Sequence, residues 1–190
     1  MFWALPLGSF GLTAVALALA FSWAYSAPPV RFKRNGWLGN AAVGFTYEGL
    51  AWVTGAGIML GSTLPPTNIL LVAALYSIGA HGIMTLNDFK AMAGDERMGV
   101  RSLPVLHGAK GAAWLASLIM LAAQAVVIAL LASWGRPMHA LAVGVLALVQ
   151  AGLMLWFVRA PESRALYLSA FGVPFYVSGM MVSAFALRAL

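Results

Sequence analysis

Hydrophobic residues run along this chain in six long blocks, at 3–25, 39–60, 67–86, 112–133, 139–158 and 166–187, with short polar breaks between them. Each block is close to the roughly 20 residues that an α-helix needs to cross a bilayer. Inside lipid, backbone N–H and C=O groups must pair within their own segment, so runs of this kind form helices. The breaks carry turn chemistry: Pro28-Pro29, Gly61 with Pro65-Pro66, Gly108, Gly135 with Pro137, and Pro161. Pro174 falls inside the last block and predicts a kink there. The pattern predicts an all-α, polytopic transmembrane bundle of six spans, forming a single domain over residues 1–190.

Composition strengthens this reading. The chain is 62% hydrophobic and 8% charged, and its mean hydropathy of +0.89 lies outside the range of soluble domains. It has no cysteine, which removes disulfide frameworks, thiolate nucleophiles and zinc–thiolate sites. The net charge of +6 does not call for nucleic acid as a partner, because in a membrane protein excess Lys and Arg retain loops on the cytoplasmic side. Six spans place the breaks at 26–38, 87–111 and 159–165 on one side. These hold Arg31, Lys33, Arg34, Lys90, Arg97, Arg101, Lys110, Arg159 and Arg164, whereas the other side holds only Arg136 and Arg188. The charged loops are therefore expected in the cytoplasm, with both termini of this chain outside.

One segment stands apart. Residues 87–108, NDFKAMAGDERMGVRSLPVLHG, gather Asp88, Asp95 and Glu96 together with Lys90, Arg97 and Arg101. If the third helix runs on for two turns, the seven-residue step from Asp88 to Asp95 turns through about 700° and returns both carboxylates to one face. With the Asn87 amide they form an all-oxygen set suited to Mg2+, an ion that keeps several waters and bridges a few carboxylates to substrate phosphates. The nearby cations suit the phosphates themselves. The alternative is a solvated loop whose charges only fix topology, although acids contribute little to orientation. Loop 26–38 adds Arg31, Lys33 and Arg34 on the same side. It serves either as a second wall for a diphosphate or as a basic cluster held on anionic membrane lipid. Glu48, within the second span, and His81, two turns before Asp88, are each either a buried polar contact or a functional group. No Gly-rich phosphate loop, Ser/His/Asp arrangement or HExxH motif is present.

NDFKAMAGDERMGVRSLPVLHG resembles the second Asp-rich motif of the UbiA superfamily of membrane prenyltransferases. Its N-D-F-K, G-D and G-x-x-S-L-P-V forms look like those of the chlorophyll and bacteriochlorophyll synthases. YSAPPVRFKRNGWLGN, at 25–40, is similar to a second stretch of that subfamily. The resemblance implies a helical bundle around a membrane-open cavity in which Mg2+ binds an isoprenoid diphosphate. Its ionisation gives an allylic cation, captured by the propionate of chlorophyllide or bacteriochlorophyllide to form the geranylgeranyl or phytyl ester. By motif, Asn87, Asp88 and Asp95 are expected as metal ligands, Asp88 and Asp95 as the catalytic pair, and Lys90, Arg97 and Arg101 as diphosphate-facing. Arg31, Lys33 and Arg34 are expected at the entrance, and the home is a cytoplasmic or photosynthetic membrane.

The family has about nine spanning helices and a first Asp-rich motif in an early cytoplasmic loop, which this chain does not show. Its first helix corresponds to the family's fourth, so a C-terminal fragment, a truncated reading frame or a split protein with an N-terminal half as its partner is expected. Two other readings stay open: a non-catalytic or pigment-binding subunit of a photosynthetic complex, and a prenyltransferase for a quinone or haem precursor.

Overall fold

The computed structural model describes residues 8–188. Residues 3–7 of the first expected span and both chain termini lie outside the described residues. The elements are α1 (Gly8–Ser26), a 3-10 turn (Phe32–Arg34), α2 (Gly36–Gly44), a π-helical segment (Phe45–Leu50) and α3 (Ala51–Met59). There follow α4 (Thr67–Asp88), α5 (Met92–Arg97), α6 (Leu103–Ser133), α7 (Pro137–Phe157), α8 (Pro161–Tyr167), a second π-helical segment (Leu168–Gly172) and α9 (Val173–Leu187). Among the described residues the one β-type feature is a single parallel bridge between Asn35 and Arg101. The chain is an integral membrane protein of the helical type.

Among the described residues five helices are long and apolar enough to cross a membrane: Gly8–Ser26, Thr67–Asp88, Leu103–Ser133, Pro137–Phe157 and Pro161–Leu187. The remaining expected span, 39–60, is a composite. Residues 36–59 keep helical dihedrals through α2, the π segment and α3, and the π segment, which carries Glu48, divides the rod into pieces individually too short to qualify. The second π segment lies just ahead of Pro174 in the last span. Proline has no N–H for the helical ladder and its ring crowds the carbonyl four residues back, so a widened turn at this point lets the helix continue.

Residues 87–111 differ most from expectation. Instead of a loop, or a third helix running on for two turns, the chain ends α4 at Asp88, turns through Phe89–Ala91 and forms the short α5. Phe89 is buried and meets Phe157 edge-on at 5.6 Å, which draws the chain off the α4 axis. Helix α6 then starts at Leu103, nine residues ahead of the expected 112, with Pro104 in its first turn, where a missing N–H is harmless. Gly108, at φ 68°, breaks its axis.

Helix α4 is the hub, packed against α2, α6 and α9, with Val72, Tyr76, Thr85 and Leu86 fully buried. Lipid is as apolar as a leucine core, so close backbone approach and interhelical hydrogen bonds hold such helices together. On α6, the small residues Ala112, Ala113 and Ala116 are among the buried positions. Between α4 and α9, the Tyr176 hydroxyl donates to the Tyr76 carbonyl (3.0 Å) and the Tyr76 hydroxyl pairs with Ser183 (2.9 Å). Gly79 makes room: a Cβ there would overlap the Tyr176 hydroxyl. Leu118, Leu148, Leu155 and Phe185 face outward, as a lipid-facing surface requires.

Candidate functional site

The three breaks expected on one side come together at one end of the bundle. The first two are joined by backbone: the Gly36 N–H donates to the Arg101 carbonyl (2.8 Å), and the Arg101 N–H donates to the Arg34 carbonyl (3.0 Å). Asn35 caps α2, its side-chain oxygen accepting from the amides of Trp37 (3.0 Å) and Leu38 (3.1 Å). The third break supplies Glu162, which shares a depression with Lys90 and Glu96.

Under the first junction lies a cavity of about 440 Å³. Arg31, Lys33, Arg34, Asp88 and Asp95 are its charged lining residues, and Tyr25, Asn40 and Ser102 are among the others that line it. Arg31 takes a left-handed backbone conformation (φ 45°) just before the 3-10 turn that presents Lys33 and Arg34. The end of α1 brings in Tyr25, and Phe21, one turn earlier, packs against Phe45 with the rings tilted, 4.8 Å between centroids. Asp88 sits at the last residue of α4 and Asp95 in the first turn of α5. The Asn40 amide donates to Asp88 Oδ2 (3.1 Å) and to Thr85 Oγ1 (3.3 Å).

The structure thus gathers Arg31, Lys33, Arg34, Asp88 and Asp95 about one cavity. It does not bring the other predicted residues to that lining. Asn87 lines a neighbouring cavity of about 580 Å³ with Phe21, Tyr25, Val43, Tyr47 and Met84. Successive helical residues point about 100° apart, so Asn87 and Asp88 face different spaces. Lys90 lies in the depression of about 520 Å³ on the far side of α5. The Arg97 Nε donates to the Ala93 carbonyl on its own helix (2.9 Å). Arg101 joins the site through its backbone.

Tyr25, Asn40 and Ser102 were not singled out from the sequence. Tyr25 and Asn40 stand at the two ends of YSAPPVRFKRNGWLGN, and a lone amide inside an apolar helix is the signal that could have marked Asn40. Glu48 is half-buried in the π segment. His81 is buried with its ring against Trp37 at 5.3 Å, and neither ring nitrogen has a hydrogen-bond partner.

Among the described residues no three His, Cys, Asp or Glu side chains cluster as a complete metal site. The cavity is lined by two carboxylates and three cations, a set suited to an ion that completes its shell with water and a bound anion rather than with protein alone. A divalent cation with part of its shell left to water or a bound anion fits those residues. A bare ion held by protein alone does not.

The fold and site define a helical integral membrane protein with an acid-and-base cavity at one end of its bundle. The family model described as "UbiA prenyltransferase family" matches residues 1–185, and the chain belongs to that family. It is 48% identical over 184 residues to the bacteriochlorophyll synthase 33 kDa chain of Rhodobacter capsulatus, covering 96% of this chain and 60% of the relative. It is 45% identical over 175 residues to the bacteriochlorophyll synthase 34 kDa chain of Chloroflexus aurantiacus, covering 92% and 56%. To the chloroplastic chlorophyll synthase of Avena sativa it is 38% identical over 201 residues, covering 97% and 52%. The chain therefore spans between half and about three-fifths of the length of these relatives. No solved structure matches it.

Proposed function

We propose that this chain acts in the transfer of a geranylgeranyl or phytyl group from its diphosphate to the propionate of chlorophyllide or bacteriochlorophyllide, with the 440 Å³ cavity as the diphosphate site. The observation that supports the reading is that Asp88 and Asp95 line one cavity together with Arg31, Lys33 and Arg34. The names of the relatives favour a tetrapyrrole acceptor over a quinone or haem precursor.

In this reading Asp88 and Asp95 would hold Mg2+, which when bound would supply positive charge to stabilise a diphosphate leaving group. Arg31, Lys33 and Arg34 donate charge-assisted hydrogen bonds to the phosphate oxygens, strengthening as negative charge collects on the leaving group. The bond from the allylic carbon to the diphosphate oxygen breaks, and a bond from that carbon to the propionate oxygen forms. The acceptor brings its own nucleophile, so the chain needs to supply none. It must keep water from the cation, and the adjoining 580 Å³ cavity, walled by Phe21, Val43 and Met84, suits the isoprenoid chain. Asn87 and Tyr25 stand where that chain would meet the diphosphate. Lys90, Arg97 and Arg101 act through the positive field at this end of the bundle rather than by contact.

The charged end is assigned to the cytoplasmic face of a photosynthetic membrane, on the imbalance of nine bases against two. The test is an assay with chlorophyllide, geranylgeranyl diphosphate and Mg2+, run on the chain alone and with a segment carrying the other Asp-rich motif of the family. Ester formation that stops with Asp88→Asn and with Asp95→Asn supports the assignment. Ester formation unaffected by both overturns it.

A further inference from the structure

Asn40 is a buried amide, 7% exposed, on the face of α2 that meets α4. Both of its partners are on α4, one turn apart: Asp88 Oδ2 at 3.1 Å and Thr85 Oγ1 at 3.3 Å. The orientation of the amide is dictated by those partners. A carboxylate only accepts, and the Thr85 hydroxyl spends its proton on the His81 carbonyl (2.9 Å), so it turns a lone pair to Asn40. Two acceptors face the side chain, and only its NH2 end satisfies both.

We propose that Asn40 is a positioning residue for this site: its NH2 group holds Asp88 Oδ2 and so orients the carboxylate toward the cavity for a divalent cation. The inference rests on the reading of the cavity given under Proposed function. Asp88 ends its helix, with the turn Phe89–Ala91 immediately beyond, so the helix alone does little to define its rotamer. The Asn40 amide supplies that definition together with the Leu103 backbone N–H at the start of α6, and Thr85 in turn fixes the amide. Because α2 starts at the junction with Arg34 and Arg101, the same residue sets the carboxylate in register with the basic residues of the cavity. Groups that orient a metal-binding carboxylate in this way commonly govern metal affinity without touching the metal.

The experiment uses the purified full chain in lipid nanodiscs, with Mn2+ followed by electron paramagnetic resonance in the presence of geranylgeranyl diphosphate. Asn40→Leu keeps the volume and removes the donor. Mn2+ affinity is expected to fall by about 10- to 100-fold. Binding of geranylgeranyl diphosphate in EDTA, which depends on the basic residues, is expected to stay as in the parent. Unchanged Mn2+ affinity overturns the proposal, and so does a parallel fall in both kinds of binding, which marks a purely structural role. Thr85→Val, which leaves Asn40 present but unfixed, carries the test if Asn40→Leu does not fold; it should weaken Mn2+ in the same direction, and no change overturns the proposal. A parent chain that binds no Mn2+ with the diphosphate refutes the reading of the cavity and this inference with it. A parent that binds Mn2+ as tightly as its Asn40 variant refutes the inference alone.

Discussion

Replacing Gly36 with alanine should pull apart the junction on which the cavity is built. A Cβ on Gly36 would stand 2.7 Å from the Leu103 nitrogen, 2.9 Å from the Arg101 carbonyl oxygen and 3.0 Å from the Ser102 carbonyl carbon. All three are backbone atoms of the segment that starts α6, so no side chain can swing aside. Reaching ordinary contact at 3.4 Å requires a shift of 0.7 Å, the difference from 2.7 Å. That shift stretches the 2.8 Å bond from Gly36 to Arg101 beyond useful length. Overpacking of this kind costs about 1–3 kcal/mol, and a lost backbone hydrogen bond adds about 1 kcal/mol, so a total of about 2–4 kcal/mol is expected.

The same shift moves the three bases relative to Asp88 and Asp95. Affinity for geranylgeranyl diphosphate should fall about tenfold, the equivalent of one charge-assisted hydrogen bond of about 1.5 kcal/mol. The assay is thermal unfolding followed by circular dichroism, with diphosphate binding measured on the same preparation. Gly39→Ala is a milder comparison, since its Cβ would lie 3.2 Å from the Phe32 oxygen. Gly94→Ala, on α5 with nothing within 4 Å, should be neutral or stabilising by up to about 1 kcal/mol. A Gly36→Ala chain that melts with the parent and binds as tightly would refute the reasoning.

Three further outcomes follow from the same geometry. Lys33→Ala and Arg34→Ala should weaken diphosphate binding and flatten its salt dependence, whereas Lys90→Ala and Arg97→Ala, whose side chains lie off that cavity, should change it much less; binding titrations at two ionic strengths compare them. Removing divalent ions with EDTA should end ester formation while leaving measurable diphosphate binding through the three bases, which separate turnover and binding assays resolve. At the core, Tyr176→Phe removes the hydrogen bond to the Tyr76 carbonyl and should cost about 0.6–1 kcal/mol; Gly79→Ala, whose Cβ would overlap that tyrosine, should cost more, both read as shifts of the unfolding midpoint.

Much of the fold was legible because lipid imposes one rule on every segment. Helices α4, α7 and α9 fall where hydropathy places spans at 67–86, 139–158 and 166–187, and the unequal distribution of Lys and Arg groups the three charged breaks at one end. What the pattern could not reveal was how tertiary contacts bend the chain between spans. The burial of Phe89 against Phe157 halts α4 at Asp88, and no local signal in N-D-F-K announces it. The stop also reassigns the cations. On α5, Asp95 and Arg97 are two residues apart and so about 200° apart around the axis, which sends them in different directions.

The pairing of Asp88 with Asp95 was expected from a continuous helix, yet it arises without one. Asp88 leans on Asn40 of α2, while Asp95 is carried by a separate short helix whose end is tied back by the Val100 amide to the Asp95 carbonyl (2.8 Å). Two carboxylates on one rigid helix would keep a fixed separation. Here each is anchored to a different neighbour, so their separation follows the junction of residues 34–36 with residues 101–103. That junction also sets the three bases, and a change at Gly36 therefore reaches the acids and the bases of the cavity together. Substitutions at Asp88 or Asp95 remove one carboxylate each; substitution at Gly36 leaves every charged group in place and alters only their spacing. If spacing is what the site depends on, Gly36→Ala should lower diphosphate affinity at every ionic strength, whereas losing a base should lower it most at low salt.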